Sequence, residues 1–102
     1  MSKAAVLFHP EAALEVLSAR DWYKSRNPSA AMAFVEEVAR AVERIARGPG
    51  AWPGHKYGTR RCFLRRFPFL IIYRPAGDSV EVVAVAHGRR KPGYWKDRIA
   101  ST

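Results

Sequence analysis

Apolar residues change their period along this chain, and each change marks an element. Residues 3–8, "KAAVLF", form a short apolar run that reads as a strand and is ended by Pro10. Pro10 suits the first position of a helix, where its missing N–H is no loss. Ala12, Val16, Ala19 and Tyr23 then recur at i, i+4, i+7 and i+11, one stripe of a helix. Leu14 and Leu17 fall on a different face, so this helix is either buried on two sides or offers both leucines to a partner. Asn27-Pro28 closes it and opens a second helix, with Asn27 as N-cap and Pro28 in the first turn. There Phe34, Val38, Ala41 and Ile45 form the stripe, flanked by Ala31, Val35 and Val42. Glu36–Arg40 and Glu43–Arg47 are i,i+4 pairs in the favourable order, each worth roughly 0.2–0.5 kcal/mol. Gly48-Pro49-Gly50 stops the helix.

Residues 48–58, "GPGAWPGHKYG", read as a loop that puts Trp52, His55, Lys56 and Tyr57 near the surface. Three strands follow: Thr59 to Arg65, Phe67 to Arg74 and, after a turn at Pro75-Ala76-Gly77-Asp78, Ser79 to His87. In the middle one Phe67, Phe69, Ile71 and Tyr73 point one way, and Leu70 and Ile72 the other. In the last, strict alternation sets Val80, Val82, Ala84 and Ala86 against Val83 and Val85. Strands apolar on both faces belong at the centre of a sheet. Two helices cover one face only, so "GYWKDRI", with Tyr94, Trp95 and Ile99, is expected to cover part of the other and a partner the rest. The order βααβββ with a short C-terminal helix or coil predicts an α+β fold, a helical hairpin on a small, mainly antiparallel sheet. It leaves the place of the first strand in the sheet open.

Composition adds scale and charge. The 102 residues fit one domain, 1–102, with one modest core. The longest apolar run, Phe67 to Tyr73, is far short of the ~20 residues of a membrane span, and the N-terminus does not read as a signal peptide. A single cysteine, Cys62, excludes an internal disulfide, and the expected location is the cytoplasm. Residues 1–50 carry seven Lys/Arg against six acids, whereas residues 51–102 carry eleven against three. Of the net charge of +9, almost all lies in the second half, which steers the domain toward a polyanion or an acidic protein.

Little of the standard chemistry fits. His9, His55 and His87 have no ligand spacing, so neither a metal nor another cofactor is expected. Cys62, mid-strand, reads as a buried inert thiol. Two basic clusters are left: Arg60, Arg61, Arg65 and Arg66 on or beside the first of the three strands, and His87-Gly88-Arg89-Arg90-Lys91 leaving the last, followed by Tyr94 and Trp95. Guanidiniums present forked donors to phosphate and aromatics stack on bases, so the two clusters are candidates for one anionic site.

The order of elements, together with "RRFPFLIIYR" and "DSVEVVAVAHGRRKPGYW", resembles the RelE/ParE superfamily of toxins from bacterial type II toxin–antitoxin modules. The resemblance runs from residue 3 to Ile99 and implies a toxin held inactive by a cognate antitoxin in a heteromeric complex. The uncovered apolar positions Leu14, Leu17, Leu70, Ile72, Val83 and Val85 are then the candidate antitoxin contacts, through a helix laid in a groove and a strand added to an open edge. The RelE-like branch cleaves mRNA on the ribosome. Toward that activity Arg61, His87, Arg90 and Tyr94 would be the catalytic candidates. This chain departs from that branch at Leu70, where an arginine is expected three residues before Tyr73; losing such a cation lowers the rate by about 10²–10³, by analogy with an oxyanion donor. The ParE-like branch poisons DNA gyrase without chemistry of its own. The Phe-Pro-Phe strand and the HGRR ending resemble it more closely, and His87, Arg89, Arg90, Lys91, Tyr94 and Trp95 would then be a target-binding surface. A basic nucleic-acid-binding module without toxicity is the third reading, and it predicts only salt-sensitive binding.

Overall fold

The computed structural model describes residues 3–100. Strand β1 (Ala5–Phe8) leads into helix α1 (Pro10–Lys24), then α2 (Pro28–Arg47), a two-residue strand β2 (Gly54–His55), β3 (Thr59–Phe63), β4 (Phe69–Ala76), β5 (Ser79–His87) and a short helix α3 (Lys96–Ala100). The sheet order is β1-β5-β4-β3-β2. All pairs are antiparallel except β1, which runs parallel to β5 with Ala5–Phe8 opposite Ser79–Val82. The first strand thus closes the side of the sheet that the pattern left open, and β2 adds a fifth strand inside the expected loop.

Both helices form for the reasons the pattern suggested. The Asn27 side chain accepts from the Ser29 N–H at 3.0 Å, with Pro28 following it. At the start of α1 the cap is His9, whose Nδ1 accepts from the Glu11 N–H at 3.1 Å. Ala12 and Ala19 of α1 and Phe34, Val38, Ala41 and Ile45 of α2 are buried against Cys62, Leu64, Ile71, Tyr73, Val80, Val82 and Val85. Of the two i,i+4 pairs, Glu43–Arg47 forms at 3.2 Å, with Lys3 also 2.8 Å from Glu43. Glu36 and Arg40 do not pair, which fits a contact whose small gain barely offsets two ordered side chains.

Three expectations about the strands need correction. Strand β3 ends at Phe63 rather than Arg65, and β4 begins at Phe69 rather than Phe67. The buried Glu37 takes the Arg65 and Arg66 N–H groups out of any ladder, and Pro68 has no N–H to give. At its other end β4 continues to Ala76, leaving a two-residue connection in which Gly77 takes φ 65°. The third correction is the alternation in β5. Tyr73 pairs with Val82 but Ile72 pairs with Ala84, so Val83 is the extra residue of a β-bulge. Beyond it the faces exchange: Val85 joins Val80 and Val82 under the helices, while Val83, Ala84 and Ala86 join Leu70 and Ile72 on the opposite face.

That opposite face is closed by the chain itself. Trp95, 2% exposed, lies on Leu70, Ile72, Val83, Ala84 and Ala86, with Tyr94 and Ile99 beside it. Leu70, Ile72 and Val83 are therefore buried under the chain's own C-terminal segment, while Val85, 2% exposed, is buried on the helix side, where it lies in the floor of a groove beside α1. Leu14 (54% exposed) and Leu17 do project from α1, with Trp22 further along the helix.

Candidate functional site

The C-terminal segment is held by a carboxylate that the apolar stripe nearly hides. Glu15 of α1 accepts from Tyr94 Oη (2.7 Å) and from both terminal nitrogens of Arg98 (2.9 Å each). It also accepts from the backbone N–H of Val85 at 2.9 Å, while Arg98 donates to the Val83 carbonyl at 3.0 Å. Beyond Phe8 the chain turns into α1, so β1 stops covering β5 there. Glu15 and Arg98 instead satisfy backbone groups on that stretch of β5. Burial pushes the Glu15 carboxyl upward, but Arg98, Tyr94 and the Val85 N–H together hold it below its ordinary value of 4.5. Burial and the Glu15 carboxylate push the Tyr94 hydroxyl far above the usual phenol range.

Around this anchor lie two depressions. A groove of about 860 Å³ runs between α1 and the end of the sheet, with Leu14, Ala19, Trp22, Tyr23, Phe69 and Val85 among its apolar lining and His87, Arg90 and Arg98 among its basic groups. A cavity of about 220 Å³ opens on the other side of the Arg90–Tyr94 pair, lined by residues that include His55, Arg61, Phe63, Arg90 and Trp95. The Arg90 guanidinium stacks 3.6 Å above the Tyr94 ring, with Nη1 3.8 Å from Glu15. Gly93 keeps the segment close to the connection between β2 and β3: at φ 92° it passes Tyr57 so tightly that a Cβ there would lie 3.0 Å from the ring.

The expected basic residues do not all converge. Arg61, His87, Arg90, Tyr94 and Trp95 line the smaller cavity. Arg60 turns away and donates to the Trp52 carbonyl, while Arg66 pairs with Glu37 at 3.1 Å and exposed Arg65 gives its backbone N–H to the same carboxylate. Arg89 and Lys91 project into solvent on the turn after β5. The first cluster is thus split by strand alternation, with Arg61 and Phe63 on one side of the sheet and Cys62 and Leu64 in the helix-covered core. Cys62 is fully buried, and burial pushes its thiol up.

Sequence reasoning missed Glu15, Glu37, His55 and Arg98. A signal existed for the two acids: each occupies the i+3 position of an apolar stripe, Glu15 after Ala12 and Glu37 after Phe34. A carboxylate there must find cations or N–H groups once the stripe is buried. Nothing local marks Arg98, whose partner Glu15 is distant in sequence, or the stacking of His55 on Trp95.

The family model for the ParE toxin of type II toxin–antitoxin systems, parDE, matches residues 6–92. This chain belongs to the ParE toxin family. Among solved structures, the toxin's fold is similar to a chain of the chromosomal ParDE toxin–antitoxin system from P. aeruginosa, with a TM-score of 0.74 at 19% identity, covering 83% of this chain and 96% of that one. The comparison with curated proteins returned no match. The match to the ParE toxin model spans β1 through the turn after β5 and stops just before Gly93, so the Tyr94–Arg98 segment lies beyond it.

Proposed function

We propose that this ParE-family toxin acts by inhibiting DNA gyrase, and so replication, and that a cognate antitoxin neutralises it. The observation that carries this reading is the state of Tyr94. Its hydroxyl is committed to Glu15 and its pKa is raised, which suits a packing group and not an acid or base poised for RNA cleavage. Leu70, where the RNA-cleaving branch is expected to carry arginine, is buried beneath Trp95. Arg89, Arg90 and Lys91, exposed on the turn after β5, then serve as a contact surface for the target. The groove beside α1 supports the antitoxin half: its apolar lining suits an amphipathic segment, with Leu14 as an accessible anchor, and the acids Glu11 and Glu15 in the same lining balance Arg90 and Arg98.

The test is to induce the chain alone in bacteria and pulse-label DNA and protein synthesis. DNA synthesis is expected to fall first, and purified toxin to inhibit supercoiling by gyrase. Replacing Arg89 and Arg90 together with alanine should abolish both effects while the variant stays folded. If protein synthesis falls first, the gyrase reading fails and Arg61, His87 and Arg90 become candidates for action on ribosome-bound mRNA. Unchanged growth would overturn toxicity itself.

A further inference from the structure

The 220 Å³ cavity between β3, the end of β5 and Trp95 shares Arg90 with the proposed target surface, but Arg61 and His55 give it a chemistry that the gyrase reading does not use. Its polar lining includes Arg61, Arg90, His55 and His87. Arg61 uses one terminal nitrogen on the Gly54 carbonyl and on His55 Nδ1, both at 3.3 Å, and its fork has further N–H groups. Because a guanidinium can only donate, His55 Nδ1 must accept and the ring proton sits on Nε2. Burial, then the charges of Arg61 and Lys56, holds that imidazole neutral. Arg90 spends one edge near Glu15, at 3.8 Å, and brings positive charge to the same wall. Trp95 is 2% exposed, yet its indole N–H has no hydrogen-bond partner. Leaving a buried donor unmet is unfavourable, and this one belongs to a ring that lines a cavity in which no Asp or Glu stands among the described lining residues.

We infer that this cavity is a binding site for the phosphate group of a mononucleotide. A phosphate supplies acceptors for the remaining N–H groups of Arg61 and Arg90 and for the Nε2–H of His55, beside the Trp95 ring. Size selects the rest of the ligand. At about 220 Å³ the cavity is below the roughly 300–1,000 Å³ of pockets that enclose a whole small molecule. It takes the phosphate and part of the sugar and leaves the base outside. At the mouth Phe63 is 59% exposed, a ring on which a base can stack. No step of this depends on the target proposed above, so a failed gyrase assay leaves it standing.

The experiment follows the indole N–H of Trp95 in proton–nitrogen NMR spectra of the full chain, assigned with Trp22→Phe and Trp52→Phe variants. AMP, inorganic phosphate and adenosine are titrated separately. AMP is expected to shift the Trp95 resonance saturably, inorganic phosphate more weakly, and adenosine not at all. Arg61→Met should weaken AMP binding by about tenfold or more, as loss of a charge-assisted hydrogen bond implies, whereas Lys24→Met on the far end of α1 should leave it unchanged. Should Arg61→Met fail to fold, His55→Ala carries the same expectation. No saturable shift, or equal weakening by Lys24→Met, would overturn the site. Adenosine binding as well as AMP would remove the phosphate, and phosphate binding as tightly as AMP would remove the nucleoside.

Discussion

Glu15 and Glu37 do the same work at two places: each lies in a helix stripe and satisfies backbone N–H groups that no strand partner reaches. Glu37, 3% exposed, accepts from the Arg65 and Arg66 amides and from the Arg66 side chain. Both carboxyls are held below the ordinary value of 4.5 in spite of burial, because the hydrogen bonds and arginine charges outweigh it. The sign follows from linkage. A depressed folded pKa contributes stability that is present above the unfolded value and is lost as pH falls below 4.5 through the folded one. Glu15→Gln should therefore be less stable than wild type near neutrality, by about 1.5–3 kcal/mol, the range for a lost hydrogen bond to a charged group. The gap should narrow in acid. Urea unfolding of both proteins at about pH 7 and about pH 3 measures it; a gap that does not change with pH would mean that Glu15 contributes by packing alone.

At the scale of elements, the bulge in β5 decides which side chains meet. Without the extra residue at Val83, strict alternation would send Val85 to the Trp95 face and Ala84 and Ala86 under the helices. Neither layer would fill, since the helix face needs the larger side chain and the Trp95 face needs the smaller ones. The small residues Ala84 and Ala86 make room for the indole of Trp95, and the C-terminal segment becomes the second layer. Trp95→Ala should destabilise the protein by about 3–5 kcal/mol and expose Leu70 and Ile72. Thermal unfolding with a dye that reports exposed apolar surface checks both. A loss under about 1 kcal/mol would mean that Tyr94 and Ile99 alone close that face.

For the molecule as a whole, the excess charge of the second half decides how it meets partners. With a net charge of +9 and the exposed turn 88–91 at one end of the sheet, the field favours anionic surfaces at long range. Retention on a heparin column should fall steeply as salt rises, and the Arg89/Arg90 double alanine should elute at lower salt than Lys3→Ala. Lys3 already pairs with Glu43, so its loss changes the exposed field less. The double variant removes two charges and Lys3→Ala one, so a shift only twice as large would mean that total charge alone, not the turn, sets the affinity. Much of this architecture was legible in the chain: two stripes of period 3.6, their Asn and Pro starts, three strands and the closing tryptophan all follow from local spacing and local capping. What needed the tertiary structure was every feature whose partner lies far along the chain. The place of β1 beside β5, the face-switching bulge, the hold of Glu15 on Tyr94 and Arg98, and the meeting of His55 with Trp95 are of this kind. Periodicity reports which side of an element is apolar, but a bulge shifts that periodicity without a local mark. A buried carboxylate finds its cations only after distant segments have packed around it.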